Sequence, residues 1–341
     1  MKQSMQQLQL AKVIKNQIFE GFVLVRAAEQ RTSSNGGKFL DMTVCDLSGD
    51  FNAKVWDGTA QPPRPGTVIK IRAMMQEYNG HPQLRVDKLR LLSDKDEVDM
   101  GQLVPCAPEP AADMLAAINR RIDGMQDEDL RKVTRLRLNE CGPRLMYYPA
   151  ATKLHHAERA GLLHHTSTML KMADAICQIY PTLDGDLLAA GVILHDLCKI
   201  EEIRADETGV AADYTREGQL LGHIVMGVSA LSRACDEAGV GGEKKLMLEH
   251  MLLAHHDLPE YGSPKPPMFP EAEVLHVIDL LDARMFEMNR ALDAVAPGSF
   301  TERIWSLDRR LYRRAHPPAR REDAPDAEGA AQEAPQQGGE A

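Results

Sequence analysis

No stretch of the chain approaches the roughly 18 consecutive apolar residues that a membrane-crossing helix needs. The amino-terminal MKQSMQQLQLAK lacks the apolar core of a secretory signal. The six cysteines (Cys45, Cys106, Cys141, Cys177, Cys198, Cys235) include no CxxC pair, which excludes a zinc ribbon and argues against a disulfide framework. Reduced thiols in a cytoplasmic protein are the expectation. There is no P-loop, no Ser/His/Asp or Cys/His arrangement for covalent catalysis, and no internal repeat. What remains is an ordinary balance, 43% hydrophobic and 26% charged, in a chain of 341 residues that can hold two domains.

The net charge of −10 speaks against a polyanionic partner until its distribution is read. Residues 1–92 carry 13 Lys and Arg against 8 Asp and Glu, whereas residues 317–341 carry 2 against 6. A basic amino-terminal module on an acidic body points to the module as the part that grips any polyanion.

Residues 15–92 read as β. Phe19–Arg26, Phe39–Asp46, Phe51–Trp56, Thr67–Ala73 and Gln83–Leu91 are rich in β-branched and aromatic residues. Turn signals separate them at Ser34–Gly37, Ser48–Asp50, Pro62–Gly66 and Asn79–Gly80. Five short strands suit a small closed barrel of the OB type, a fold that binds single strands through aromatic platforms and a cationic groove. Lys38, Phe39, Lys54, Trp56, Arg72, Tyr78 and Arg85 are the candidate nucleic-acid contacts, with Phe51 and Lys88 beside them. Residues 93–112, acidic and then proline-rich, read as a linker.

From residue 113 to 316 the period becomes helical, and no alternating run survives the comparison. An all-α domain is expected, its last helix near Thr301–Arg314 carrying Arg303, Arg309, Arg310, Arg313 and Arg314. The acidic tail 317–341 has almost nothing apolar and is expected to be disordered.

Five pieces of the helical part place histidine or aspartate inside apolar pattern: GLLHHT (Gly161–Thr166), ILHDLCK (Ile193–Lys199), LGHIV (Leu221–Val225), LAHHD (Leu253–Asp257) and HVIDLLDA (His276–Ala283). Polar groups buried in apolar helices need partners, and imidazole and carboxylate are ligands for divalent transition metals. His165 lies 30 residues before His195, His223 lies 28 after it, His255 another 32 on, and Asp279 another 24. That spacing gives each ligand its own helix, as a metal site in a bundle core requires. Singly, His81, His164 and His276 read as ordinary histidines.

Together these pieces resemble the signature of the HD-domain metal-dependent phosphohydrolases. The whole stretch from about residue 15 to 315, including FLDMTVCDLSGDFNAKVWD and PAATKLHHAERAGLLHHT, resembles the YhaM-type 3′→5′ exoribonucleases, which join an OB-fold to an HD domain. The resemblance implies His165, His195, Asp196 and Asp279 as core metal ligands. His223 and the His255–His256 pair would complete a second position, with His255 the favoured ligand. It gives His155 and His156 a substrate role at the mouth of the site. Two positions depart from the family pattern: His164 stands where an acid is usual, and Cys198 where glycine is, which raises the packing of that turn and its redox sensitivity as questions.

Mixed histidine and carboxylate ligands favour manganese, iron or cobalt over magnesium, as one ion or two, with manganese the first choice. Such a centre activates water against a phosphodiester. The metal and Lys199 would stabilise charge on the phosphoryl oxygens, Asp196 would act as a catalytic residue through the metal it holds, and His223 or His256 would protonate the leaving 3′-oxygen. The expected activity is 3′→5′ hydrolysis of single-stranded RNA to nucleoside monophosphates, with single-stranded DNA open as a second substrate and a homo-oligomer as the working form. The alternatives are a phosphodiesterase or nucleotidase for small nucleotides, and a nucleic-acid-binding protein with an inactive HD site.

Overall fold

The structure, a computed structural model, describes residues 7–152 and 156–316. His155 and the acidic tail 317–341 lie outside the described residues.

Five strands close into a barrel: β1 (Ile18–Thr32), β2 (Lys38–Asp46), β3 (Gly49–Val55), β4 (Val68–Tyr78) and β5 (His81–Leu91), in the spatial order β1-β2-β3-β5-β4. This is the expected OB arrangement. β1 has 15 residues and so serves two neighbours. Its first half pairs with β4 and its second with β2, and the register slips between Val25 and Ala27. Such a bulge bends a strand around a barrel corner. β3 and β5 close the ring in parallel. The Asn79–Gly80 pair links β4 to β5 with both residues at positive φ, 52° and 79°, the conformation that a type I′ hairpin turn demands.

Alternation sends Leu40, Met42, Val44, Ala53, Val55, Ile69, Ile71, Leu84 and Val86 into the barrel, where Leu10 from a short 3₁₀ turn joins them. Truncating a fully buried member such as Leu40 or Ile71 to Ala costs about 2–5 kcal/mol. The stretch after β5 is laid against the barrel, with Leu103 and Val104 buried beside Leu24, Cys45 and Val68.

The helices follow: α1 (Ala111–Asp123), α2 (Glu128–Cys141), α3 (Gly161–Ile179), α4 (Gly185–Leu194), α5 (Lys199–Glu202), α6 (Arg216–Ala238), α7 (Gly242–Ala254) and α8 (Pro270–Asp293). α4 is apolar all round and every residue from Leu187 to Leu194 is buried, so it is the central helix. Asp184 caps it, accepting from the backbone N–H of Asp186 and of Leu187. None of the described helices is long and apolar enough to cross a membrane.

Two segments differ from the sequence reading. A small hairpin, β6 (Ile203–Ala205) and β7 (Ala211–Tyr214), interrupts the helical part. Its strands are too short to show alternation, and Gly209 at φ 79° turns the chain between them. The expected helix at Thr301–Arg314 is also absent. Bridges Phe300–Tyr312 and Ile304–Arg309 make it a hairpin, folded about a 3₁₀ turn at Trp305–Leu307 with Asp308 at φ 52°. Ile304, Leu307 and Leu311 mimic helical spacing, and the hairpin buries Leu307 and Leu311 by this different route. The chain divides into two compact units after Ala283, and the hairpin belongs to the second.

Candidate metal centre

The histidine candidates stand near helix ends or at a kink, and Asp279 lies within a helix. His165 sits in the first turn of α3 and is fully buried. His195 and Asp196 follow directly on α4, both buried. His255 and His256 end α7, and Asp279 and Asp282 share α8. His223 is aimed by a break in α6: Gly222 holds φ 72° and ψ 160°, a region essentially reserved for glycine. The break frees the His223 backbone N–H, which donates to Glu202 Oε1 at 3.0 Å.

The imidazoles are oriented in one way. The Nδ1–H of His195 donates to Val192 O at 2.8 Å, that of His255 to Leu252 O at 2.8 Å and that of His256 to Tyr261 O at 2.8 Å. His165 Nδ1–H donates to Asp282 Oδ2 at 2.7 Å and His223 Nδ1–H to Glu202 Oε1 at 3.1 Å. A carbonyl or ionised carboxylate can only accept, so these bonds fix the proton on Nδ1 and turn five Nε2 lone pairs inward.

Those lone pairs meet the carboxylates in two groups. His165 Nε2 lies 3.3 Å from His195 Nε2 and 3.3 Å from Asp279 Oδ1. The ring nitrogens of His223, His255 and His256 form the second group, all within 4.8 Å of one another. Asp196 stands between the groups, Oδ2 at 3.3 Å from His195 and Oδ1 at 3.4 Å from His223 and 3.9 Å from His255. Asp279 also spans both, its Oδ2 being 3.9 Å from His256 Nε2.

Asp196 Oδ1, His223 Nε2 and His255 Nε2 are buried without a hydrogen-bond partner among the described residues. Three orphaned acceptors converging on one point are costly unless a cation sits among them. Donor atoms bound to one ion at about 2.0–2.2 Å lie roughly 3–4 Å apart, the separation seen here. The residues fit a divalent metal.

The electrostatics agree. Burial lowers His255 well below its ordinary value, assisted by His256 and His195, and burial likewise lowers His256, so both are neutral and available as ligands. Burial opposes the charge of Asp196, but Lys199, His195 and His223 outweigh it and hold the group well below the usual carboxylate range. His165 stands apart: burial opposes its protonation, yet Asp279 and Asp282 overcome it and raise the group to about 9, so without a cation its Nε2 carries a proton that a bound metal would have to displace. Lys199 is buried and paired to Asp196 Oδ2 at 2.6 Å, so it is not a solvated helix-end cation.

Sequence reasoning missed the carboxylates behind the ligands. Asp282 takes the Nδ1–H of His165 and also bonds His156 Nε2 at 2.7 Å. It lies three residues after Asp279, hence on the same helix face, and that spacing was the available signal. Glu202 orients His223 from a four-residue helix, which no pattern announced. His164 is not an ordinary histidine: its Nδ1 lies 2.7 Å from Glu158 Oε1 and 3.1 Å from His156 Nδ1. His276 Nδ1–H donates to His255 O at 2.8 Å and so holds the metal-facing backbone. Cys198 is buried, and burial pushes its thiol up to about 12 in spite of Arg137, which disfavours the reactive thiolate.

On the barrel, four of the nucleic-acid candidates come together. Phe39 stacks on Trp56 with centroids 4.8 Å apart, and Lys54 Nζ lies 5.2 Å from the Phe39 ring and 5.5 Å from the Tyr78 ring. Trp56 is 56% exposed and Tyr78 60%, so two ring faces are open to a base. Arg85 is the register partner of Lys54 and pairs with Asp87 at 3.6 Å. Arg72 lines a groove of about 700 Å³ with Lys70, Lys88 and Arg90. Lys38 is exposed at the start of β2, and Phe51 is half-buried against the core. His81 is exposed at the start of β5.

A barrel of OB order followed by a buried histidine–aspartate centre defines an HD-domain protein, and the HD domain family model matches residues 162–284. An HD domain implies a divalent metal, as the orphaned acceptors do. The chain is 41% identical over 294 residues to the 3′-5′ exoribonuclease YhaM of Bacillus subtilis, covering 85% of this chain and 93% of that protein. It is 41% identical to the protein of the same name from Geobacillus sp., covering 90% of it. The chain belongs to the YhaM family of 3′-5′ exoribonucleases. Among solved structures, the second OB-fold domain of replication protein A from Methanococcus maripaludis matches 27% of this chain and 98% of its own, with 12% identity and a TM-score of 0.22.

Proposed function

We propose that this protein is a metal-dependent 3′→5′ exoribonuclease that hydrolyses single-stranded RNA, and single-stranded DNA as a second substrate, to nucleoside monophosphates. The observation that best supports this reading is the pair of facing groups, five inward Nε2 atoms and two carboxylates each placed to serve both groups. His165, His195, Asp196 and Asp279 would hold one ion, and His223 and His255 with Asp196 a second, which leaves His256 Nε2 free; manganese is the first choice, with iron or cobalt behind it. When bound, the metal supplies water activation and neutralises charge on the phosphoryl oxygens.

The chain's own residues do the rest. Asp282 and Glu202 fix the tautomers of His165 and His223. Lys199 balances Asp196 and adds positive charge beside the phosphate. His256 is the more open of the second group, 25% exposed against 11% for His223 and 0% for His255, and is the residue assigned to carry a proton to the leaving oxygen. His156 is buried with its ring nitrogens beside Asp282 and His164, so it supports Asp282 from behind instead of meeting substrate as expected for the His155–His156 pair.

Residues 15–92 would hold the strand, joined by 93–112 to an HD domain of 113–316 with an acidic tail beyond. Phe39, Trp56, Tyr78, Lys54, Lys38, Arg72 and Arg85 are the assigned contacts. A cytoplasmic setting accords with six free cysteines. A homo-oligomer accounts for Leu220, Leu221 and Val225 on α6 and Val277, Leu280 and Leu281 on α8, which are all exposed.

The test compares a single-stranded RNA oligomer with a small phosphodiester, both with manganese. Preferential shortening of the oligomer supports the proposal. Intact RNA beside rapid hydrolysis of the small diester transfers the protein to the small-nucleotide phosphodiesterases.

A further inference from the structure

The hairpin near the end of the described chain has a composition that neither the metal centre nor the barrel uses. Residues 299–316 hold five arginines against two acids. Leu307, Leu311 and Thr301 are buried and anchor it, while Ser306 bonds Glu287 on α8. Arg313 donates to the carbonyls of Leu292 at 3.0 Å and Val295 at 2.6 Å, so it is spent on closing the carboxyl end of α8. The other face is open. Trp305 is 89% exposed, Phe300 56% and Tyr312 49%, although indole and phenyl rings are normally withdrawn from water. Phe300 and Tyr312 face each other across the hairpin, centroids 5.1 Å apart, and the Arg310 guanidinium lies 5.5 Å from the Phe300 ring. Arg303, Arg309, Arg310 and Arg314 are exposed on the same short segment.

We propose that this hairpin, Phe300–Arg314, is a further contact for single-stranded RNA in addition to the barrel, with bases stacking on Trp305 and on the Phe300–Tyr312 pair and phosphates taken by the arginines. Flat exposed rings interleaved with guanidinium groups are the surface that binds single strands without reading sequence. The excess of positive charge on an otherwise acidic chain selects a polyanion over an apolar partner. The inference rests on the exoribonuclease reading and deepens it: the contact would retain long substrates and be idle for short ones.

The chain has two tryptophans, Trp56 and Trp305. In the full-length Trp56→Phe variant, fluorescence therefore reports Trp305 alone. Titration with single-stranded RNA in EDTA, where no hydrolysis occurs, is expected to quench this emission saturably, and added salt to reverse it. Arg309→Ala with Arg310→Ala should weaken binding about tenfold and raise KM for an oligomer by a similar factor, with kcat and dinucleotide hydrolysis unchanged. Trp305→Ala removes an exposed ring and no packing, and should do the same if the arginine variant unsettles the hairpin.

Emission indifferent to RNA overturns the proposal. So does emission that changes on dilution without RNA, which would put Trp305 between copies of the chain, and so does equal loss on oligomer and dinucleotide. If the unmodified protein shortens RNA while Trp305 stays silent, only this inference falls. If Trp305 is quenched but no RNA is shortened, the contact stands and the exoribonuclease reading falls.

Discussion

Asp282→Asn tests whether the carboxylate behind the ligands governs the metal. Asp282 Oδ2 accepts from His165 Nδ1 and bonds His156 Nε2, each at 2.7 Å. Hydrogen bonds to a charged group contribute about 1.5–3 kcal/mol each. Asparagine can keep one oxygen for both histidines but loses the charge. His165 is then left with a neutral and weaker acceptor behind Nδ1. Loss of such an outer partner typically lowers metal affinity 10- to 100-fold, or about 1.4–2.8 kcal/mol. The assay is manganese titration, by calorimetry and by activity on RNA. The half-saturating concentration should rise by that factor while kcat at saturating metal stays within a few-fold. Unchanged half-saturation, or lost kcat with normal metal binding, refutes the reasoning.

Gly222→Ala places a side chain at φ 72°, ψ 160° and should cost about 1–3 kcal/mol of stability while weakening metal binding through a displaced His223, read by thermal unfolding with and without manganese. Trp56→Ala uncovers Phe39 and removes a stacking face, so RNA binding should weaken about tenfold with hydrolysis of a small phosphodiester unaltered. Cys198, buried and with its thiol held at about 12, should resist iodoacetamide at pH 8 in the native protein and react once unfolded, which peptide mass analysis reads directly.

The candidate ligands were legible because each is a histidine or aspartate stranded in apolar helical pattern, a conflict that burial alone cannot resolve. The barrel was legible from its turns: Asn79–Gly80 adopts the conformation that its residues require. The supporting acids were not. Asp282 and Glu202 resemble any charge on a helix surface until His165 and His223 are seen to lean on them. His164 read as ordinary because its partners, Glu158 and His156, come from a loop with no regular period. The hairpin at Phe300–Tyr312 was misread because a spacing of three and four residues is common to a helix face and to a short turn that tucks two leucines inward.

The central claim is that RNA is shortened from its 3′ end at the histidine–aspartate centre. The most direct measurement incubates 5′-labelled single-stranded RNA with the protein in manganese and in EDTA, beside Asp196→Ala. The account predicts a ladder of progressively shorter labelled products in manganese only, absent from the variant. A labelled mononucleotide released from the 5′ end at the outset, or a ladder that persists in EDTA or in Asp196→Ala, contradicts it.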